Sequence, residues 1–337
     1  MKVLITAPYM QAAQDQLSGA LGEIIYKPWK PHGRAYNEEE VIELLRDTKA
    51  EALITEHDEV TEQVIALYPD LRFIGVCRGT PSNVAVKTAT QAGIPVFFTP
   101  ARNAQAVAEM FVANVITFLR NTLAGIDWLK GGNWGEGAHT SYLQFKGNEL
   151  AGKTVGMVGF GAVGQRIASL LTCFPCPVQF YDPFVEDSMP GYRKTSLEDV
   201  FSTSDIVSIH LPVNAHTKGM IDKRLLGMMK QDAIFVNTAR AVVVNRLDLL
   251  EVLENKQIRG AILDVFDHEP PDETDNRLIH HPRVLPTPHI AGATHEVEDH
   301  HAAIMNEAVL DWFVNKNSST KLLANKEIVA TGTGQKL

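Results

Sequence analysis

The sequence predicts an α/β protein of two successive units, each a parallel sheet covered by helices. Three observations carry that expectation. Short apolar runs alternate with helix-like segments along most of the 337 residues, the pattern of βαβ units. The alternation stops at a glycine-rich, aperiodic stretch, 131–148, and restarts at Thr154. The restart places three closely spaced glycines directly between a strand and a helix.

The first unit opens with the strand KVLITA at 2–7, and EIIYKP at 23–28 follows after a helical stretch. NEEEVIELLRDTKA at 37–50 reads as a capped helix, because Asn37 precedes Glu40 by the three residues of a capping box. ALIT (52–55), RFIGVC (72–77) and PVFFTP (95–100) are further strands, each preceded by a helix-like segment; the helix before the last stops at Gly93. Residues 103–122 read as one long helix. The stretch 131–148 reads as a long functional or interface loop. Beyond it come the strands TVGMVGF (154–160), VQFYD (178–182), DIVSIHL (205–211), AIFVNTA (233–239), AILDVF (261–266) and RVLPTPH (283–289). A last long helix spans roughly 294–316. The tail after Asn317 is polar and expected to be mobile, apart from a short strand near Leu322. No tandem repeat is visible.

Composition narrows the function classes. A net charge of −9 argues against a nucleic-acid-binding face, which needs a basic patch. No run of 18 apolar residues marks a membrane span. The N-terminus, MKVLITAPYM, reads as a first strand rather than a signal peptide. Three cysteines do not make a disulfide framework. A cytoplasmic enzyme or binding protein is expected.

The glycines are Gly159, Gly161 and Gly164, in Gly-Phe-Gly-Ala162-Val163-Gly. Gly159 allows the tight turn, Gly161 lets backbone approach a pyrophosphate, and Gly164 permits close helix–strand packing. The helix beginning at Ala162 turns free N–H groups and its positive dipole end to the phosphates. The next strand ends at Asp182, about 20 residues on, where an acid meets the ribose hydroxyls of NAD and repels the 2′-phosphate of NADP. A Rossmann-like unit binding NAD follows.

Three further strands end in chemistry: Arg240, Glu269 and His289. Ligands gather at the carboxyl ends of strands in open α/β sheets. Arg240 suits the carboxylate of a 2-oxo acid, which it meets with two parallel hydrogen bonds. His289 suits proton transfer to and from the substrate oxygen. A carboxylate beside an imidazole favours the imidazolium and fixes the ring, the role expected of Glu269. Asp264 is placed for the nicotinamide amide or for structural hydrogen bonds; Asp267 and His268 read as solvated.

At this point the chain resembles the D-isomer-specific 2-hydroxyacid dehydrogenases, the family of phosphoglycerate dehydrogenase, glyoxylate/hydroxypyruvate reductase and D-lactate dehydrogenase. The motifs ELAGKTVGMVGFGAVG, HLPVNAHTKGMI, FVNTAR, DVFDHEP and TPHIAGAT come in the family's order between about residues 70 and 294. The resemblance implies Arg240, Glu269 and His289 as the catalytic trio. It implies cofactor contacts at Val163, Asp182, His210, Pro212, Thr217, Thr238 and Asp264. It also implies a discontinuous substrate-binding domain, 1–101 with 290–337, an inserted NAD-binding domain, 102–289, an active site in the cleft between them, and a homodimer formed through an arm near 125–150. An NAD(H)-sensing corepressor on the same fold is the alternative; the acidic surface counts against it.

Where the family often reads A-G-x-G-x-D-N, its backbone holding the substrate carboxylate, this chain has Cys77-Arg78-Gly79-Thr80-Pro81-Ser82-Asn83. With Gly79 and Thr80 in the substrate loop, Arg78 either contacts an anionic or polyhydroxylated substrate tail or points outward or pairs with Glu56. Glu56 and His57 either bind hydroxyls or form a solvated strand end, and Arg102 is a further candidate anion contact. Ala241 replaces the glycine that follows the catalytic arginine in relatives. Cys173 and Cys176 lack the second pair of ligands a structural zinc needs. His295 and His300 are five apart and fail the HExxH spacing, so no metal is expected. Tryptophans 29, 128, 134 and 312 read as packing residues.

Overall fold

The computed structural model describes residues 1–135, 137–185, 189–317 and 319–330. The chain divides into two compact units, Met1–Asn103 with Thr294–Leu337, and Ala104–Ala293.

The first unit holds strands β1 (Lys2–Ile5), β2 (Glu23–Tyr26), β3 (Ala52–Thr55), β4 (Ile74–Val76) and β5 (Val96–Phe98). They form one parallel sheet in the order β2-β1-β3-β4-β5, that of flavodoxin-like sheets. Residues of β3 and β4 are buried throughout, as expected of strands covered on both faces. The capping box forms in full: Asn37 Oδ1 accepts from Glu40 N at 3.0 Å, and Glu40 Oε2 from Asn37 N at 2.9 Å. The helix Glu296–Phe313 returns to this sheet, burying Ala302, Met305, Ala308 and Val309 against Val3, Ile5, Phe73 and Phe97. Gly75 makes room for it, since a Cβ there would lie 2.7 Å from Met305 Sδ. The strand expected near Leu322 is a single antiparallel bridge, Phe97 to Leu323. A short helix, Glu327–Ala330, follows, and 331–337 lie outside the described residues.

The second unit holds β6 (Val155–Val158), β7 (Val178–Tyr181), β8 (Arg193–Lys194), β9 (Ile206–Ile209), β10 (Ile234–Asn237), β11 (Gly260–Leu263) and β12 (Val284–Pro286). All are parallel, in the order β12-β11-β10-β9-β6-β7-β8. The winding reverses at β6, next to the glycine turn. Strand β8 was not anticipated, because two basic edge residues make no apolar run.

Two expectations are corrected. The long helix stops at Leu119, and a second, Thr122–Lys130, starts after Asn121, whose φ of 55° breaks the first. The stretch expected to be a loop contains the helix Ala138–Gln144. Its Tyr142 and Leu143 are exposed, so the described residues show no buried stripe at helical period. The units also divide two and four residues beyond the expected points. Arg102 is bonded to Glu56 and His301 in the first unit, while Ile290 and Ala291 donate to Asp264 in the second.

Candidate active site

The glycine turn follows β6. Gly159 has φ 91°, and a Cβ there would lie 2.6 Å from the His210 carbonyl oxygen. At Gly164 a Cβ would lie 2.9 Å from the Gly159 oxygen. Gly161 differs: a Cβ there would meet nothing within 4 Å. Its bareness leaves open space in front of the helix Ala162–Leu171, which Gly161 caps with no side-chain hydrogen bond. The N–H groups of Ala162 and Val163 are thus left for a ligand. Asp182 directly follows β7 and ties the turn down, Oδ2 accepting from Phe160 N at 2.7 Å and Oδ1 from Phe184 N at 2.9 Å. Each oxygen keeps a lone pair for a hydroxyl.

Along the same carboxyl edge, His210 follows β9 and Thr238 follows β10. Nε2 of His210 and Oγ1 of Thr238 are buried with no hydrogen-bond partner among the described residues. Burial pushes His210 down to about 4, so its ring is neutral at pH 7. Buried orphan polar atoms are uncommon in folded proteins. Beside an uncapped helix start, they fit a polar dinucleotide. Thr217 is already engaged, its hydroxyl donating to the Pro212 oxygen at 2.7 Å and shaping the 212–217 loop.

The catalytic candidates come next. Arg240 is exposed after β10, with Nη1 donating to the Ala239 oxygen and its other side-chain N–H groups making no bond among the described residues, open to an anion. Asn237 orders this bend, donating to the Arg240 oxygen and accepting from Ala239 N, both at 3.0 Å. His289 Nδ1 lies 2.9 Å from both oxygens of Glu269, each side chain about half exposed. Glu269 thus holds the proton on Nδ1 and leaves Nε2 for chemistry. A pocket of about 320 Å³, walled by Phe266, Ile279 and four prolines, opens beside the pair. His289 sits at φ 54°, in the left-handed region. Asp264 holds it there: Oδ1 accepts from Thr287 Oγ1 (2.6 Å) and Ile290 N (2.9 Å), and Oδ2 from Ala291 N (2.9 Å). Of the two uses foreseen for Asp264, the structural one is present, with the carboxylate about 1 % exposed.

In the first unit, Gly79 and Thr80 are exposed on the loop after β4, and their N–H groups make no bond among the described residues. Glu56 is not a solvated strand end; it is about 6 % exposed. It pairs with Arg102, Nη1 to Oε1 at 2.6 Å, and accepts from Trp29 Nε1 at 3.1 Å. Burial opposes its charge, yet Arg102 and His57 hold it below the ordinary carboxylate value. Burial, aided by the Arg78 and Arg102 guanidiniums, pushes His57 down.

The sequence reading missed His301, the neighbour of the discounted His300. It is fully buried, with Nδ1 2.9 Å from Arg102 Nη1 and Nε2 2.6 Å from the Pro8 oxygen. A guanidinium only donates, so Nδ1 accepts and the ring is neutral; burial lowers its pKa accordingly. Trp29 is more than a packing residue, and Trp134 is exposed. Cys176 is turned to the Leu150 oxygen.

The chain is similar to known proteins over most of its length. Residues 112–291 match the family described as D-isomer specific 2-hydroxyacid dehydrogenase, NAD binding domain. YoaD of Bacillus subtilis, named as a 2-hydroxyacid dehydrogenase, is 57% identical over 332 residues, 98% of this chain and 96% of its own. Glyoxylate reductase of Thermofilum pendens is 30% identical over 334 residues, 97% and 95% of the two chains. The solved structure of D-2-hydroxyisocaproate dehydrogenase superposes with a TM-score of 0.79 at 22% identity, over 96% of this chain and 100% of that one, which bears on the fold alone. A likeness running through nearly the whole of both chains at 57% identity leaves one assignment: the chain belongs to the D-isomer-specific 2-hydroxyacid dehydrogenases, enzymes that work with NAD.

Proposed function

We propose that this enzyme interconverts a small 2-oxo acid and its D-2-hydroxy acid, with His289 as acid and base. The observation that carries the reading is the two-oxygen grip of Glu269 on His289 Nδ1. Arg240 pairs with the substrate carboxylate and polarises the adjacent carbonyl. NADH, when bound, supplies the hydride. His289 Nε2 gives its proton to the carbonyl oxygen and takes it back in the reverse direction. Gly159, Gly161, Ala162, Val163 and Gly164 hold the pyrophosphate, and Asp182 the adenosine ribose. His210, Pro212, Thr217 and Thr238 line the rest of the cofactor site.

The unit around Ala104–Ala293 is assigned to NAD and the other unit to substrate, through Arg78, Gly79, Thr80 and Arg102. Exposed Leu129, Trp134, Tyr142 and Leu143 support a homodimer built through the 125–150 arm. An acidic chain with no helix long and apolar enough to cross a membrane, among the described residues, supports a cytoplasmic place of work.

The test is NADH oxidation against glyoxylate, hydroxypyruvate, pyruvate, phosphohydroxypyruvate and four-carbon sugar-derived 2-oxo acids, on protein whose solution mass is measured by sedimentation. Turnover of one class, NADH favoured over NADPH, and twice the chain mass are expected. NADH binding without turnover of any member would overturn the reading.

A further inference from the structure

Arg246 is the first residue of the helix Arg246–Glu254, whose cap, Asn245, accepts from the Leu247 and Asp248 N–H groups. That helix buries Leu249, Leu250, Val252 and Leu253, so the base of the Arg246 side chain is fixed. Its guanidinium reaches three carboxylates. Nε lies 3.3 Å from Asp267 Oδ2, and Nη1 lies 2.8 Å from Asp272 Oδ1 and 3.0 Å from Asp275 Oδ1. Asp275, about 1 % exposed, also accepts the His268 N–H through Oδ2 at 3.0 Å. These partners stand on both sides of one residue: 267 and 268 precede Glu269, and 272 and 275 follow it.

We propose that Arg246, through Asp267, Asp272 and Asp275, is a positioning residue that clamps both flanks of the loop carrying Glu269 and so keeps that carboxylate on His289. This rests on the proposed function, in which the Glu269–His289 pair moves the proton. An arginine suits this place because its donors sit on separate atoms of a rigid fork, Nε meeting Asp267 and Nη1 meeting Asp272 and Asp275, whereas an ammonium presents all its donors from one atom. The same acids could suggest a cation site, because His268, Asp272 and Asp275 bring ligand atoms within 4.8 Å of one another. The guanidinium already supplies the positive charge there, and its hydrogen bond holds Asp272 at about 2.

A brace that served only the fold would weaken the enzyme whatever stood at 269. A brace acting through Glu269 loses its effect once Glu269 is disabled. The experiment is a double-mutant cycle on the full chain, using the best substrate of the panel: Arg246→Ala, Glu269→Gln and the pair, with Arg246→Lys and Asp272→Asn beside them. Arg246→Ala is expected to lower kcat on the order of 10-fold, with KM and NADH affinity (by fluorescence titration) within about 2-fold. In the Glu269→Gln background the same change is expected to lower kcat by less than about 2-fold. Arg246→Lys should restore only part of the loss. Equal losses in both backgrounds, or no loss in the first, would overturn the proposal. Should Arg246→Ala not fold, Asp272→Asn removes one arm of the clamp and must show the same non-additivity on a smaller scale. Wild-type turnover, measured first, separates failure of the clamp from failure of the functional reading.

Discussion

The carboxyl edges of the two sheets carry similar residue types in opposite states. In the second unit, Glu269 and His289 form a hydrogen-bonded pair about half open to solvent, and Arg240 keeps most of its donors unengaged among the described residues. In the first unit, Glu56 and His301 are buried and Arg102 mostly so, in a cluster where Glu56 has both oxygens bonded and His301 both nitrogens. An acid, a cation and an imidazole are thus arranged once for exchange and once for rigidity. The difference lies in access to water: an open pair can gain and lose protons and ligands, whereas a buried one holds its charges in one arrangement.

The largest effect should come from the open edge. His289→Ala is expected to lower kcat by roughly 10²–10⁴-fold, the usual worth of a positioned acid or base, with NADH affinity by fluorescence titration nearly intact. Retained turnover would break the contrast at its centre.

A sharper comparison sets the two glutamates against each other. Glu56→Gln leaves the mostly buried Arg102 without its counter-charge and should lower unfolding free energy by about 2 kcal/mol in urea titrations. Glu269→Gln removes an exposed partner and should change stability by less than about 1 kcal/mol, while lowering kcat. Reversed stability effects would mean that burial does not separate the two clusters.

The smallest effect is expected with acid. His301 is folded as a neutral ring, with its pKa lowered by burial. In the unfolded chain it takes up a proton near the ordinary value of about 6.5. Between those two values the unfolded state binds more protons, so stability is fully present above the unfolded value and declines as pH falls below it. His210, pushed down to about 4 by burial, and His57, also lowered, act in the same sense. Glu56, lowered from the ordinary 4.5, loses its contribution only at more acid pH. The thermal midpoint should therefore drop between pH 7.5 and 5.5, and drop less in His301→Gln; parallel curves for the two proteins would remove His301 as the cause.

How much of this was legible depends on where each requirement is written. The glycine turn is local: three backbone demands fall at fixed spacing between a strand and a helix, so Gly159, Gly161 and Gly164 could be read directly. Glu269 and His289 could be read because each closely follows an apolar run, and their meeting follows from the adjacency of β11 and β12. The cluster in the first unit could not be read. Arg102 lies 46 residues from Glu56 and 199 from His301, on separate elements with no shared local pattern. The Arg246 clamp was hidden for the same reason: Asp267 and His268 looked solvated, and nothing near Arg246 announced its distant carboxylates. The helix Ala138–Gln144 was invisible because its Tyr142 and Leu143 face outward.

The backbone at His289 carries a consequence for any attempt to improve this enzyme. A φ of 54° is one glycine adopts freely and an L-residue adopts at a penalty of roughly 1 kcal/mol. Ala101, beside Arg102, is in the same region with φ 62°. A selection for heat resistance would therefore favour glycine at both places, and at 289 the gain would erase the proton donor. The hardiest descendants of this chain and the fastest ones lie in different directions from it, and that single dihedral angle marks where their paths separate.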